Sequence, residues 1–340
     1  MIFYLYSLFV YCCVMAFICS VTRKKNINLF WWGSIMFIGV IVCRNENIVR
    51  DYGLYLQYYN DADDTLPVEY SFIIISDVIR CIFNDPFFLF LVYAVLGVLL
   101  KFLAIKNLSE LYFLSLVIYI GNYLLLHEFT QMRAGVSASF LLLSLPAIYN
   151  RSLKTFLLFV FLAAFFHYSA LIALPLYLLN AKSINKRHWF LMLCLGDVLY
   201  FMKFDYLMLF ALNDIFYFKI TSYMEQTEAN GNVSIFNVYY LIKTVLFLIF
   251  LLKSNLIALS NKYSYLMIKI YGISLFVYSA CSYIPIISIR CSELYGIVEI
   301  IVVSYLFYIM TSKRLAIFTI CLYSAITLFY RICINNIIIH

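Results

Sequence analysis

Charged side chains are scarce in this chain: 12% of its 340 residues are Asp, Glu, Lys or Arg, while 65% are hydrophobic. An ordinary soluble domain is about one quarter charged and about half apolar. A soluble protein of this size could not hide so much apolar surface from water. The scarcity of charge therefore excludes a large soluble catalytic domain. Together with a mean hydropathy of +0.95, it predicts an all-α, polytopic transmembrane helical bundle.

The signatures of several enzyme classes are absent as well. The chain has no Walker loop, no glycine-rich dinucleotide fingerprint, no Gly-x-Ser-x-Gly and no His-Glu-x-x-His, so ATP-driven transport and serine or zinc hydrolysis lose their usual support. Its 10 cysteines include no Cys-x-x-Cys pair, which favours packing over a disulfide or metal framework. The net charge of +7 comes from short, scattered clusters, which argues against nucleic-acid binding. We predict neither a metal nor a cofactor.

Apolar runs that could cross a membrane recur along the whole chain, each of about 20 residues or somewhat fewer. They predict a single integral membrane domain, 1–340, with about 11–13 spans. The first run has no basic segment before it and no small-residue cleavage site, so we interpret it as a span rather than a signal peptide. The runs are 1–21, 29–43, 86–105, 111–126, 131–149, 153–166, 168–180, 189–202, 235–252, 268–288, 293–311 and 315–333.

The basic clusters predict the orientation, because Lys and Arg in short loops stay on the cytoplasmic side. The clusters share one side if the N-terminus is outside and a helix breaks at His167. This arrangement makes 44–85 and 203–234 two large periplasmic loops. Within the first, about 68–84 has one apolar face and is interpreted as an interfacial or re-entrant helix. A full span is the alternative.

Four outer-face positions carry side chains that could bind an anionic ligand. The loop 44–59 combines two arginines with acidic residues and four tyrosines. Such groups suit phosphates and sugars, but an aromatic belt with snorkelling arginines would have the same composition. Arg133 opens an apolar helix and could face a cavity or simply pair with Glu128. His167 could be a base or phosphate ligand, or a packing histidine.

The fourth position is Arg290, which could bind an anion or pair with Glu293 at i,i+3. Positive-inside bias should clear arginines from the outer face, yet this cationic set lies there at helix mouths. We therefore predict a convergent basic pocket for an anionic ligand, with a lipid diphosphate as the natural candidate. The set comprises Arg44, Arg50, Arg133, His167 and Arg290.

These motifs resemble those of the EpsG-type family of polysaccharide polymerases, which are related in role to the Wzy O-antigen polymerases. The family's first outer loop has an Arg followed by Gly-x-Asp-Tyr-x-x-Tyr. Arg44 and Asp51-Tyr52-Gly53-Leu54-Tyr55 match it without the first glycine, and Glu69 corresponds to a later acid. The family then has an Arg-Gln element that opens a helix. Arg133 matches its arginine, and Ala134 stands in place of the glutamine. Phe166-His167-Tyr168-Ser169-Ala170 matches the Phe-His-x-Ser-Ala element in full, and Arg290 with Tyr295 matches a late Arg before a Tyr-containing helix.

The resemblance implies a bacterial inner-membrane enzyme that acts on the periplasmic face. It would transfer a growing glycan from undecaprenyl diphosphate to a new lipid-linked repeat unit. Arg133, Arg290 and Arg44 would hold the diphosphate, and Asp51 or His167 would take the acceptor proton. The expected substrate-binding residues are Arg44, Arg50, Tyr52, Tyr55, Glu69 and Tyr295. The expected partners are the lipid-linked oligosaccharide, membrane lipids and a chain-length regulator, and no nucleic acid.

Three alternatives belong to other classes. A flippase of lipid-linked sugars would need charged residues along a path through both leaflets, whereas the ionisable set here is one-sided. A membrane acyltransferase that modifies glycans would need a histidine with an acid partner at the acyl-donor side, and no such inner pair is evident in the sequence. A non-catalytic scaffold is the third. A deletion strain distinguishes failed polymerisation, which leaves single-repeat glycolipid, from failed translocation.

Overall fold

The computed structural model describes residues 2–22, 26–44, 49, 51–60, 68–203 and 233–333. Throughout these ranges the secondary structure is helical, and no β-strand occurs in them. The helices form two compact units, one of residues 1–177 and 299–340 and the other of residues 178–298. The prediction of one integral membrane domain stays a prediction.

The first unit contains the N-terminal helices and the C-terminal one. Its α-helices are α1 (Ile2–Thr22), α2 (Ile27–Val42), α3 (Tyr52–Asn60), α4 (Tyr70–Ile82), α5 (Pro86–Leu108), α6 (Tyr112–Tyr119), α7 (Met132–Tyr149) and α8 (Leu153–Phe166). A π-helix (Ile120–Thr130) continues α6, and a 3-10 helix (Tyr168–Leu178) follows α8 and runs to the end of the unit.

The second unit holds α9 (Lys186–Phe201), α10 (Val238–Leu252), α11 (Ser254–Ala258), α12 (Ser264–Ala280) and α13 (Pro285–Gly296). The chain then returns to the first unit with α14 (Glu299–Val302), a 3-10 turn (Val303–Tyr305), α15 (Leu306–Ile309) and α16 (Lys313–Cys333).

The helices have the length and composition of membrane spans. In the described part of the chain, five are long and apolar enough to cross a bilayer: Ile2–Thr22, Pro86–Leu108, Tyr112–Thr130, Met132–Tyr149 and Lys313–Cys333. Six shorter apolar helices accompany them. Large apolar side chains such as Phe3, Trp32 and Phe161 lie on the outside, each more than half exposed. So much apolar exposure is typical of a lipid-facing surface, and the predicted all-α polytopic fold is confirmed.

The first large loop folds more completely than the sequence predicted. The predicted helix at about 68–84 is confirmed as α4, whose 13 residues span about 20 Å and are too few to cross the hydrocarbon core. The preceding helix, α3, was not predicted. Both helices contribute to an aromatic core that holds Tyr55, Phe72 and Tyr93. Because this core buries one face of each short helix, tertiary packing stabilises segments that would be marginal alone.

Three predicted spans differ from the structure, and one of them, 293–311, is wrong because it begins inside α13, which runs from Pro285 to Gly296. The sequence placed a loop after residue 126, but the chain stays helical to Thr130 and every residue of the π-helix is buried. The N–H of Gln131 donates to the carbonyl of Leu126 at 2.8 Å, which is the π-type spacing. The predicted span 268–288 is also wrong, because α12 ends at Ala280. A new helix begins at Pro285, whose fixed φ suits a first helical position.

Candidate functional site

The carboxylate of Glu69 joins two of the predicted cationic residues. Its Oε1 lies 2.6 Å from Nδ1 of His167, and its Oε2 forms an ion pair with Nη1 of Arg133. The Glu69 side chain is 6% exposed, Arg133 17% and His167 28%. The structure therefore brings together three residues that are far apart in the sequence, and the imidazole is the most accessible of them.

Each of these residues lies at a helix end, which explains how they meet. Glu69 has an extended backbone immediately before α4, and its carbonyl accepts a hydrogen bond from the N–H of Phe72. Arg133 is the second residue of α7. His167 follows α8 with extended backbone angles, φ −157° and ψ 114°. The break predicted at His167 is therefore confirmed, and α4 packs against α8 so that Glu69 reaches across.

The electrostatics of Glu69 set the hydrogen-bonding role of His167. Burial on its own raises the pKa of Glu69. The hydrogen bond from His167 and the charge of Arg133 outweigh it, so that the pKa falls below its ordinary value. An ionised carboxylate can only accept hydrogen bonds, so Nδ1 of His167 carries the proton and donates it. In the neutral imidazole Nε2 is then the nitrogen with the lone pair, and it can accept a proton from a substrate hydroxyl.

Aromatic rings surround the Arg133 guanidinium. The carbon at its centre lies 5.8 Å from the ring centre of Tyr55, 5.9 Å from that of Tyr58 and 5.7 Å from that of Phe72. These distances are within the range of cation–π attraction. Tyr55 and Phe72 are buried, whereas Tyr58 is half-buried. Tyr58, which the sequence analysis did not single out from its neighbours, is therefore the most accessible of the three rings for a sugar.

Arg44 lies near this group, but its terminal nitrogens are occupied. Nη1 donates to the carbonyl of Glu128 at 2.6 Å, and Nη2 donates to the carbonyl of Phe90 at 2.8 Å. The guanidinium also lies 4.5 Å from the centre of the Phe90 ring, on which Tyr52 stacks at 4.5 Å. Burial lowers the pKa of Arg44 to about 10. Arg44 thus links the end of α2 to the π-helix and to α5. Its contact with a diphosphate stays a prediction.

Asp51 and Tyr55 belong to the same neighbourhood. Asp51 directly precedes α3, and its carbonyl accepts a hydrogen bond from the N–H of Tyr55 at 3.2 Å. Burial raises the pKa of the buried Tyr55 hydroxyl, the charges of Arg133 and Arg44 lower it, and the charge of Asp51 raises it. The structure therefore gathers these charges around one tyrosine. Arg50 lies outside the described residues.

Arg290 and Tyr295 lie in the second unit, on α13. Arg290 is exposed and Tyr295 is 8% exposed. The alternative that Arg290 pairs with Glu293 is wrong, because no ion pair joins the two on this fully described helix. The roles of Arg290 and Tyr295 in substrate binding stay predictions.

The alternative partner of Arg133 is also wrong, because Glu128 pairs with a lysine that the sequence analysis passed over. Lys101 and Glu128 are both fully buried, and Nζ of Lys101 lies 2.6 Å from Oε1 of Glu128. The signal was present in the sequence: a lone lysine inside an apolar span is expensive and marks a specific role. Arg133 can turn to Glu69 because Lys101 already neutralises Glu128.

The contact between α5 and Glu128 leaves no room for a larger residue at Gly97. A Cβ there would lie 2.0 Å from Oε2 of Glu128, whereas at Gly39 of α2 nothing lies within 4 Å. We expect Gly97→Ala to destabilise the protein by about 1–3 kcal/mol through overpacking. Its abundance in membranes should fall several-fold, while Gly39→Ala accumulates normally. Equal abundance of the two variants on a quantitative immunoblot would contradict this packing.

Comparison with known proteins identifies the family to which the chain belongs. A model described as EpsG family matches residues 28–338, nearly the whole chain. The chain belongs to the EpsG family. Neither a curated protein nor a solved structure matches it. Membership of the EpsG family indicates a polysaccharide-polymerase-like membrane protein, and the recognition made from the sequence motifs is confirmed.

The geometry of this EpsG-family site suits transfer chemistry that uses charge and a base. The site offers a guanidinium for an anionic leaving group, an imidazole oriented by a carboxylate, and a half-buried aromatic ring. No group of three or more His, Cys, Asp or Glu in the described ranges is arranged to hold a metal ion. What these residues can do on their own is stabilise developing negative charge and accept a proton.

Proposed function

We propose that this EpsG-family protein polymerises lipid-linked oligosaccharide repeat units. It transfers the growing glycan from undecaprenyl diphosphate to an incoming repeat unit on the periplasmic face of the bacterial inner membrane. The single observation that carries the proposal is the Glu69 carboxylate shared by Arg133 and His167. Arg133 suits the diphosphate of the donor, and His167 suits the hydroxyl of the acceptor.

The proposed reaction is a displacement at the anomeric carbon of the donor glycan. The acceptor hydroxyl oxygen forms the new glycosidic bond, the bond from the anomeric carbon to the diphosphate oxygen breaks, and undecaprenyl diphosphate leaves with the electron pair. Nε2 of His167 takes the hydroxyl proton. Arg133 stabilises the charge that develops on the diphosphate. Glu69 and the Tyr55 hydroxyl each take up part of the Arg133 guanidinium, and the donors that they leave suit phosphate oxygens.

Other residues have supporting roles in this proposal. Asp51, close to Tyr55, is the alternative proton acceptor, and Tyr52 and Tyr58 orient sugar rings. A role for Arg290 as a second cation for the diphosphate stays a prediction from the sequence. The periplasmic orientation rests on the basic clusters along the sequence, and a chain-length regulator remains an expected partner.

A deletion strain complemented with the gene tests the proposal. We expect the deletion to accumulate glycolipid with a single repeat unit, and the wild-type gene to restore the long-chain ladder on a gel. The reason is that a polymerase acts after the repeat unit has crossed the membrane. Total loss of surface glycan in the deletion strain would instead indicate a flippase, and an unchanged ladder would contradict both functions.

A second candidate function has one observation in its favour. An imidazole held by a carboxylate, as His167 is held by Glu69, could also activate a sugar hydroxyl for acyl transfer on the outer face. Mass spectrometry of the glycan separates the two functions. An acyltransferase deletion would remove acyl groups and leave chain length unchanged, whereas a polymerase deletion would shorten the chain to one repeat unit.

A further inference from the structure

The buried pair of Lys101 and Glu128 lies outside the group of residues described as the reacting site. Nζ of Lys101 donates to Oε1 of Glu128 at 2.6 Å, to the carbonyl of Gly135 at 2.8 Å and to Oγ of Ser139 at 3.0 Å. A lysine ammonium has three N–H donors, so protein groups account for all of them. The ammonium therefore joins three elements, namely α5, the π-helix and α7.

Glu128 extends this connection in two directions. Its Oε1 also accepts a hydrogen bond from the Tyr119 hydroxyl at 2.8 Å, and its backbone carbonyl accepts one from Nη1 of Arg44 at 2.6 Å. Glu128 is therefore held by two cations, one through its side chain and one through its backbone. Arg44 therefore contacts the pair directly. Arg133 is two residues before Gly135, whose carbonyl accepts a hydrogen bond from Lys101.

The position of the pair along α7 is what connects it to the site. Gly135, whose carbonyl contacts the Lys101 ammonium, is two residues after Arg133 in the first turn of α7. The chain changes from a π-helix to α7 at Gln131, and the N–H of Gly135 closes the first turn of α7 on the carbonyl of Gln131 at 2.8 Å. The ammonium of Lys101 restrains the same turn from the side, because it binds the carbonyl of Gly135 at 2.8 Å.

The energetics make a purely stabilising role a poor explanation. Burying two charges is costly, and a buried ion pair is often no more stable than apolar side chains of the same volume. What a buried pair supplies is one defined geometry. Neither charge is exposed at all, so neither can contact a substrate directly.

We propose that the Lys101–Glu128 pair is a positioning device, which fixes the first turn of α7 so that Arg133 faces the diphosphate. The proposal rests on the proposed function, since it names the group that Arg133 binds. Lys101 and Glu128 are positioning residues and not catalytic ones. Displacement of a catalytic group by about 1 Å can cost a large factor in rate, so an effect on the site is expected even where the fold survives.

The test removes both charges together. Lys101→Met alone would leave a buried carboxylate without its cation, and we expect this variant to accumulate poorly. The double variant K101M/E128Q removes both charges, and we expect it to accumulate normally yet to bind inorganic pyrophosphate about tenfold more weakly per folded protein. E299Q is the matched control. It neutralises another fully buried carboxylate of the same unit, which the Tyr123 and Tyr323 hydroxyls contact, and its pyrophosphate affinity should stay within twofold of wild type.

A double-mutant cycle distinguishes positioning from general stability. If the pair acts through Arg133, adding K101M/E128Q to R133K should weaken pyrophosphate binding less than twofold further, because the group being positioned is already changed. S139A, which removes one partner of the ammonium, should show a smaller loss with the same dependence on Arg133. Equal losses in the wild-type and R133K backgrounds, or wild-type affinity in the folded double variant or in S139A, would overturn the proposal.

The binding measurement also separates this proposal from the proposed function. Wild-type protein that binds pyrophosphate but does not restore the long-chain ladder would contradict the polymerase function, and the cycle would still decide the role of the pair. If the ladder is restored but K101M/E128Q weakens pyrophosphate binding equally in the wild-type and R133K backgrounds, the positioning role is contradicted and the polymerase function is not. Wild-type protein that does not bind pyrophosphate would contradict the positioning role, because Arg133 would then have no diphosphate to face.

Discussion

Replacing Arg133 with alanine is expected to lower the amount of long-chain polymer at least about 100-fold, the scale of losing one preorganised charge-stabilising group. The guanidinium lies at the N-terminal end of α7, where it pairs with Glu69 and stays partly accessible. In the proposed reaction it stabilises the diphosphate leaving group. Without it, the charge that develops on the leaving group has no cation from α7. The measurement is a gel of surface polysaccharide from a deletion strain that carries the variant.

Arg133→Lys is the matched control for charge. A lysine keeps the positive charge but loses the planar fork that binds phosphate through two parallel hydrogen bonds. We expect an intermediate ladder, with membrane abundance equal to wild type for both variants. Long chains made at the wild-type level by normally abundant Arg133→Ala would contradict the assignment of Arg133 to the site.

Glu69→Gln is expected to have an effect of similar size, about 100-fold on polymer formation, which is within the range for losing general-base function. The amide has nearly the same shape but no charge, so Arg133 loses its ion pair. His167 loses the carboxylate that keeps the proton on Nδ1 and the lone pair on Nε2. Because the pKa of Glu69 is lowered, the wild-type site keeps its ion pair until acid protonates the carboxylate below the ordinary glutamate range. The variant should lack that acidic loss.

Asp77→Asn provides the comparison, on the helix that follows Glu69. Asp77 is an acid on α4 whose side chain is 55% exposed and which pairs only locally, with Arg80. We expect its substitution to leave polymer formation within twofold of wild type, since an exposed pair contributes little. Equal effects of Glu69→Gln and Asp77→Asn would mean that any acid in or next to α4 matters, and the special role of Glu69 would be lost.

The fold could be predicted largely from the apolar runs, because runs of that length have few other ways to satisfy their backbone in a membrane. The break at His167 followed from the positive-inside rule, and the structure has it. The extension of the predicted span 111–126 through Glu128 could not be predicted. A polar segment ends a span by hydropathy alone, and only a lysine on a separate helix makes its burial tolerable. The end of α12 at Ala280 was missed for a similar reason, since the sequence stays apolar through the turn that follows.

The residues of the candidate site could be predicted from the sequence, but the hydrogen bonds and ion pairs between them could not. Arg133, His167 and Glu69 were all named from the sequence, but the pairing of Glu69 with both others depends on how α4 lies against α8. Arg44 was expected to bind substrate, and its terminal nitrogens instead hold two backbone carbonyls. Which donor finds which acceptor is decided by tertiary packing, and no spacing in the sequence encodes it.

The most direct test of the account is chain extension by the purified protein in lipid vesicles that contain undecaprenyl-diphosphate-linked repeat units. The account predicts products longer than one repeat unit, with one undecaprenyl diphosphate released for each bond formed, and almost none of either with the Arg133→Ala protein. Repeat units that stay at their original length with folded wild-type protein would contradict the account, as would extension that proceeds equally well without Arg133.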